Sequence, residues 1–121
     1  MFLATSNKAK GLLYLGYIEH VTVADLRRGH GDMVALLADL PAGFKLLVDL
    51  SLLESMDTAC VEELGKMMEL MDQHGIAKVV RVIPDPSKDI GFKIMEVFHY
   101  PHHPRTMNCK TMVEAMRMLA L

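Results

Sequence analysis

A change of hydrophobic period between Phe44 and Leu64 constrains this chain more than any other feature of its sequence. Lys45–Leu50 sits in a short, nearly unbroken apolar run, the pattern of a strand buried on both faces of a sheet. After a brief polar turn the spacing becomes helical. Cys60, Leu64, Met67, Met68 and Met71 share one face of a helix that Asp57 opens and His74-Gly75 stops. A strand that feeds a helix directs free backbone N–H groups to one spot, where a binding site can be built.

The same alternation extends in both directions. Leu12–Glu19 reads as a strand, with Phe2–Ser6 as a shorter partner across the turn Asn7–Gly11. Thr22 and Asp25 have the spacing of a capping box, and Leu26, His30, Met33, Leu37 and Leu40 then recur at helical intervals. Gly29 and Gly31 each cost such a helix about 1 kcal/mol relative to Ala, which predicts a kink or a start only at Asp32. Ala77–Ile83 is a second buried strand, broken only by Arg81. Asp85-Pro86 then starts a helix whose stripe is Ile90, Ile94, Val97 and Phe98. Tyr100–Pro104 is a His- and Pro-rich loop and Arg105–Met107 a brief edge strand. Thr111 and Glu114 cap a last helix with Met112, Ala115, Met116 and Leu119 on one face.

Apolar strands alternating with amphipathic helices specify the α/β class: a mixed, mostly parallel sheet of four to five strands packed with about four helices. No linker or repeat divides the chain, so residues 1–121 are expected to form one domain. A net charge of -2 argues against nucleic acid, and the Lys and Arg residues from Lys66 to Arg105 are scattered among acids rather than gathered in a patch. No apolar run approaches a membrane span and no signal pattern opens the chain. With Cys60 and Cys109 far apart and outside any metal-ligand spacing, a soluble cytoplasmic protein with reduced thiols and no cofactor is expected.

From Leu12 to Leu119 the order of motifs resembles a STAS domain, the module shared by sulfate transporters and anti-sigma-factor antagonists. Leu15-Gly16 followed by Glu19-His20 is similar to the family's second strand and the loop into its first helix. Val48-Asp49-Leu50-Ser51 with Met56-Asp57-Thr58-Ala59-Cys60 is similar to its central strand and Asp-Ser-Ser-Gly signature. Val82-Ile83-Pro84-Asp85-Pro86 matches its fourth strand and exit turn, and Thr111–Leu119 its final helix. The resemblance implies a SpoIIAA-like fold and a regulatory protein partner. In bacterial antagonists of this family the second serine of the signature is phosphorylated, and binding is switched off. Ala59 occupies that position and has no hydroxyl to accept a phosphate. Thr58 is the neighbouring hydroxyl, but Glu62 and Glu63 follow in the same helix and would repel a phosphate dianion. Capping of the helix start by Asp57 and Thr58 is the simpler reading of both residues.

The leading expectation is therefore a non-enzymatic regulatory domain that binds its partner through Glu19, His20, Asp57, Thr58, Ala59, Glu62, Asp85 and Ser87. A second reading is a small-ligand or lipid carrier with an apolar cavity under Met67, Met68 and Met71 and under Met112, Met116 and Met118. Soft core filling is the commoner use of such residues. Met68 and Met118 fall off the best apolar faces, and if exposed they would favour a homodimer or partner contact. An enzyme working through Glu19, His20, Asp57 and Asp85 ranks last, because no nucleophile–base–orienter set is visible. His99, His102 and His103 are weak metal candidates, since adjacent histidines rarely point at one ion and no carboxylate or thiol lies near them in sequence.

Overall fold

The computed structural model describes residues 1–85 and 100–120. Two strands, β1 (Phe2–Asn7) and β2 (Leu12–Val21), are joined by a 3₁₀ turn at Lys8–Lys10. Helix α1 (Val23–Ala38), strand β3 (Lys45–Met56), helix α2 (Cys60–Gln73) and strand β4 (Lys78–Val82) follow. Strand β5 (Arg105–Cys109) and helix α3 (Met112–Ala120) are the last of the described elements. The helix expected after Asp85, with Ser87 and His99, lies outside the described residues.

The five strands form one sheet in the order β1-β2-β3-β4-β5, with β1 antiparallel to β2 and every other pair parallel. Each face of the sheet has its own core. Leu13, Leu15 and Tyr17 of β2 and Leu46, Val48 and Leu50 of β3 meet Leu26, Met33 and Leu37 of α1 and Leu64, Met67, Met68 and Met71 of α2. On the other face Leu47, Val80, Val82 and Cys109 meet Ala115 and Leu119 of α3.

Three sequence expectations change. First, α1 is continuous from Val23, because Gly29 is a contact rather than a weak point: a Cβ there would lie 2.1 Å from the Phe2 ring. Its start is the expected capping box. The Thr22 N–H donates to the Asp25 carboxylate at 3.0 Å, and the Asp25 N–H donates to the Thr22 hydroxyl at 3.2 Å.

Second, β3 runs on through Ser51–Met56, where the sequence predicts a turn. Its pairing with β2 steps from Gly16↔Asp49 to Ile18↔Leu52 and from Glu19↔Leu53 to His20↔Ser55. β3 therefore carries an extra residue at each step, the arrangement of a β-bulge. The bulges leave Ser51, Glu54 and Ser55 exposed while Leu53 stays buried.

Third, Met68 is buried in the α2 core, whereas Met112 and Met116 of α3 are exposed. α3 covers only its Ala115–Leu119 side against β3, β4 and β5. The space beneath Met67, Met68 and Met71 is about 20 Å³, enough for a single water.

Candidate functional site

The carboxyl ends of β2 and β3 and the start of α2 converge on one hydrogen-bonded corner. Asp57 does not cap α2 with its side chain. The helix begins at Cys60, with Ala59 as an N-cap that has no side-chain bond to offer, and Asp57 and Thr58 form the preceding turn through backbone bonds. Their carbonyls accept from the Cys60 N–H at 2.9 Å and from the Val61 N–H at 3.3 Å. The Asp57 carboxylate instead meets His20 Nε2 at 2.9 Å, while His20 Nδ1 meets the Ser55 hydroxyl at 2.7 Å. A carboxylate can only accept, so Nε2 carries a proton in either charge state of the ring. In the neutral ring Nδ1 then accepts from Ser55. Glu19, at the second bulge, holds a left-handed backbone (φ 57°) that non-glycine residues rarely adopt.

Serine, imidazole and carboxylate in this order have the connectivity of a general-base trio, which the sequence reading did not contain. The setting is open to solvent. His20 and Asp57 are about half exposed (49% and 47%). At that exposure water competes for both hydrogen bonds of the trio.

The remaining sequence-derived residues take up distinct positions around it. Thr58, Ala59 and Glu62 are exposed on the turn and the first turn of α2, and Asp85 is exposed just beyond β4 at the same end of the sheet. Glu62 reaches Lys66 at 3.9 Å. Glu63 points the other way: it is buried against α1, where its carboxylate accepts from Arg27 at 3.4 Å and meets Lys66 at 3.5 Å. These two cations hold its carboxyl below the usual range in spite of the opposing effect of burial, which is the largest single influence on it.

Among the described residues no three possible ligands converge as a metal site. His102 is committed to Asp72: the buried carboxylate accepts from its backbone N–H at 3.3 Å and meets Nδ1 at 2.9 Å, which pins the 100–104 loop to the end of α2. Sequence reasoning assigns Ser55 no role of its own because it lies in a stretch with no strand pattern. Its partner on β2 is set by the two bulges and has no local signature.

No protein-family model and no curated protein matches the chain. Solved structures do. An uncharacterised DUF3478-family protein from Shewanella loihica PV-4, described as having a SpoIIAA-like fold, superposes with a TM-score of 0.74 at 12% identity, over 98% of this chain and 92% of its own. The phosphorylated form of the Bacillus cell-fate determinant SpoIIAA gives 0.63 at 15% identity, over 98% and 99%. An anti-sigma factor antagonist from Mycobacterium paratuberculosis gives 0.61 at 15%, over 100% and 94%.

The chain has the SpoIIAA-like STAS fold.

In that fold the corner described above is the exit from the central strand into the second helix. The SpoIIAA-like arrangement thus supplies the scaffold, and this chain's own His20, Ser55 and Asp57 supply the hydrogen-bonded surface on it. Among the described residues no helix is long and apolar enough to cross a membrane.

Proposed function

We propose that this chain is a cytoplasmic regulatory domain that works by binding another protein, without catalysis, in the manner its likeness to anti-sigma factor antagonists suggests. The docking surface is the corner of Glu19, His20, Ser55, Asp57, Thr58 and Ala59, extended by Glu62 on α2 and by Asp85 beyond β4. The observation that carries the proposal is the His20 bridge. Two hydrogen bonds fix the side chains of β2, β3 and the α2 entry before any partner arrives, and pre-ordering lowers the entropy lost on association. With Ala59 at the position that the family's phosphorylated serine occupies, and Glu62 beside it, the surface is permanently available and is not switched by phosphate.

A carrier function under the α2 methionines fits poorly, because the space there holds one water. The test is recovery of tagged protein from native lysate. A regulatory protein is retained at one-to-one stoichiometry, and His20→Ala or Glu62→Arg releases it. Recovery of no partner, or of one indifferent to both substitutions, overturns the proposal.

A further inference from the structure

At the end of the sheet opposite the docking corner a row of cations crosses the strand starts. Lys45, Lys78 and Arg105 are the first residues of β3, β4 and β5, and the parallel register makes Lys45 the direct neighbour of Lys78 and Lys78 the direct neighbour of Arg105. Like charges at directly opposed positions of a sheet are destabilising. Lys8 and Lys10 lie in the turn that enters β2, where Leu12 pairs with Lys45. Among the described residues none of these five cations has a carboxylate at ion-pair distance, whereas Arg27, Arg28 and Lys66 each have one.

Their compensation comes from α3. Lys45 Nζ donates to the Leu119 carbonyl at 2.8 Å and Lys78 Nζ donates to the Met118 carbonyl, at the negative end of the helix dipole. That end amounts to about half an elementary charge, far short of neutralising the cluster. Lys78 is itself buried, and burial, with Arg105 and Lys45 adding to it, lowers the pKa of its ammonium.

Beside this row opens a cavity of about 120 Å³. Leu12, Met116, Leu119 and Ala120 form its apolar wall, and Lys10 and Lys45 its charged rim. An engineered apolar cavity of roughly 150 Å³ holds benzene, so a short alkyl chain is the right size for this one. Met116, flexible and 48% exposed, can adjust to its shape.

We infer that the amino end of the sheet binds a small amphiphilic anion, a short-chain carboxylate or alkyl phosphate. Its head lies between Lys10 and Lys45 and its tail against Leu12, Met116 and Leu119. The site lies across the sheet from the docking corner and is independent of it.

The experiment follows the Met116 methyl resonance by NMR in the intact chain during titration with hexanoate, hexanol or acetate. Hexanoate produces a saturable shift, while hexanol, which lacks the charge, and acetate, which lacks the tail, bind at least about tenfold more weakly. Lys45 also holds α3, so the informative variant is Lys10→Met, whose ammonium makes no hydrogen bond or ion pair among the described residues. It weakens hexanoate about tenfold without moving Tm, and Arg27→Met changes nothing. Equal responses to the three ligands, no saturation, or indifference to Lys10→Met overturns the inference. Binding to phosphatidylglycerol vesicles without binding to free hexanoate also overturns it and makes this end of the sheet a membrane contact.

Discussion

Gly29 and Gly31 lie two residues apart on α1, and replacing each with alanine should move stability in opposite directions. In an exposed helix interior Gly→Ala is worth about 1 kcal/mol, because alanine loses less backbone freedom on folding. Position 31 has nothing within 4 Å of a new Cβ, so Gly31→Ala should gain that full amount. At position 29 the Cβ would stand 2.1 Å from Phe2 Cδ2 and 2.2 Å from Cε2, well inside the ~3.5–4.0 Å separation of non-bonded carbons.

The Phe2 ring cannot yield freely, because it packs on Tyr17 with centroids 5.0 Å apart at 59°. Such a pair is worth about 0.5–1.5 kcal/mol beyond its buried area, and overpacking a filled site costs about 1–3 kcal/mol. Set against the helical gain, Gly29→Ala should destabilise by about 1–2 kcal/mol, leaving the two variants about 2–3 kcal/mol apart. Urea unfolding followed by far-UV circular dichroism measures this in a chain without tryptophan, with Tm moving by about 3–5 °C per kcal/mol. In a Phe2→Ala background the Gly29→Ala penalty should vanish, a non-additivity expected only of touching residues. Equal stabilisation by the two single substitutions would refute the packing assigned to α1.

Three further outcomes follow from the same structure. The Asp25 carboxyl is held at about 2, chiefly by the Thr22 N–H and further by the N-terminal ammonium and Arg28. A depressed folded-state value adds stability above the ordinary value of 3.8 and loses it as pH falls toward 2, so Asp25→Asn should flatten acid denaturation across that window. Asp72→Ala leaves the His102 N–H and ring without their acceptor; it should cost about 1–3 kcal/mol and remove hydrogen-exchange protection of the 100–104 loop selectively. Burial, the largest influence on both thiols, raises the pKa of Cys60 and Cys109, so neither should react with iodoacetamide in the native protein and both should react in urea.

How legible this protein is from sequence depends on how local each feature is. The Lys45–Leu50 strand, the Thr22 capping box and the bond from the Glu114 N–H to the Thr111 hydroxyl are written in neighbouring residues, and the structure contains all three. Gly29 reads as a helix weakness because its justification, Phe2, lies in another element. Ser55 escapes because polar residues of a bulged strand end mimic a turn, and Asp57 passes for a cap until His20 of β2 is seen to claim it. The cations at the amino end look scattered along the chain and become a row only through the parallel register of β3, β4 and β5.

The claim that the His20 corner docks a protein partner is tested most directly by site-specific photo-crosslinking. The crosslinker is placed at position 62, beside the corner, or at position 73, at the far end of the same helix. The account predicts one discrete protein adduct from position 62 and none from position 73. It also predicts loss of that adduct on His20→Ala, although the exposed His20–Asp57 pair contributes no more than about 1 kcal/mol to stability. Equal adducts from the two positions, or an adduct at 62 that survives His20→Ala in a folded protein, would contradict it.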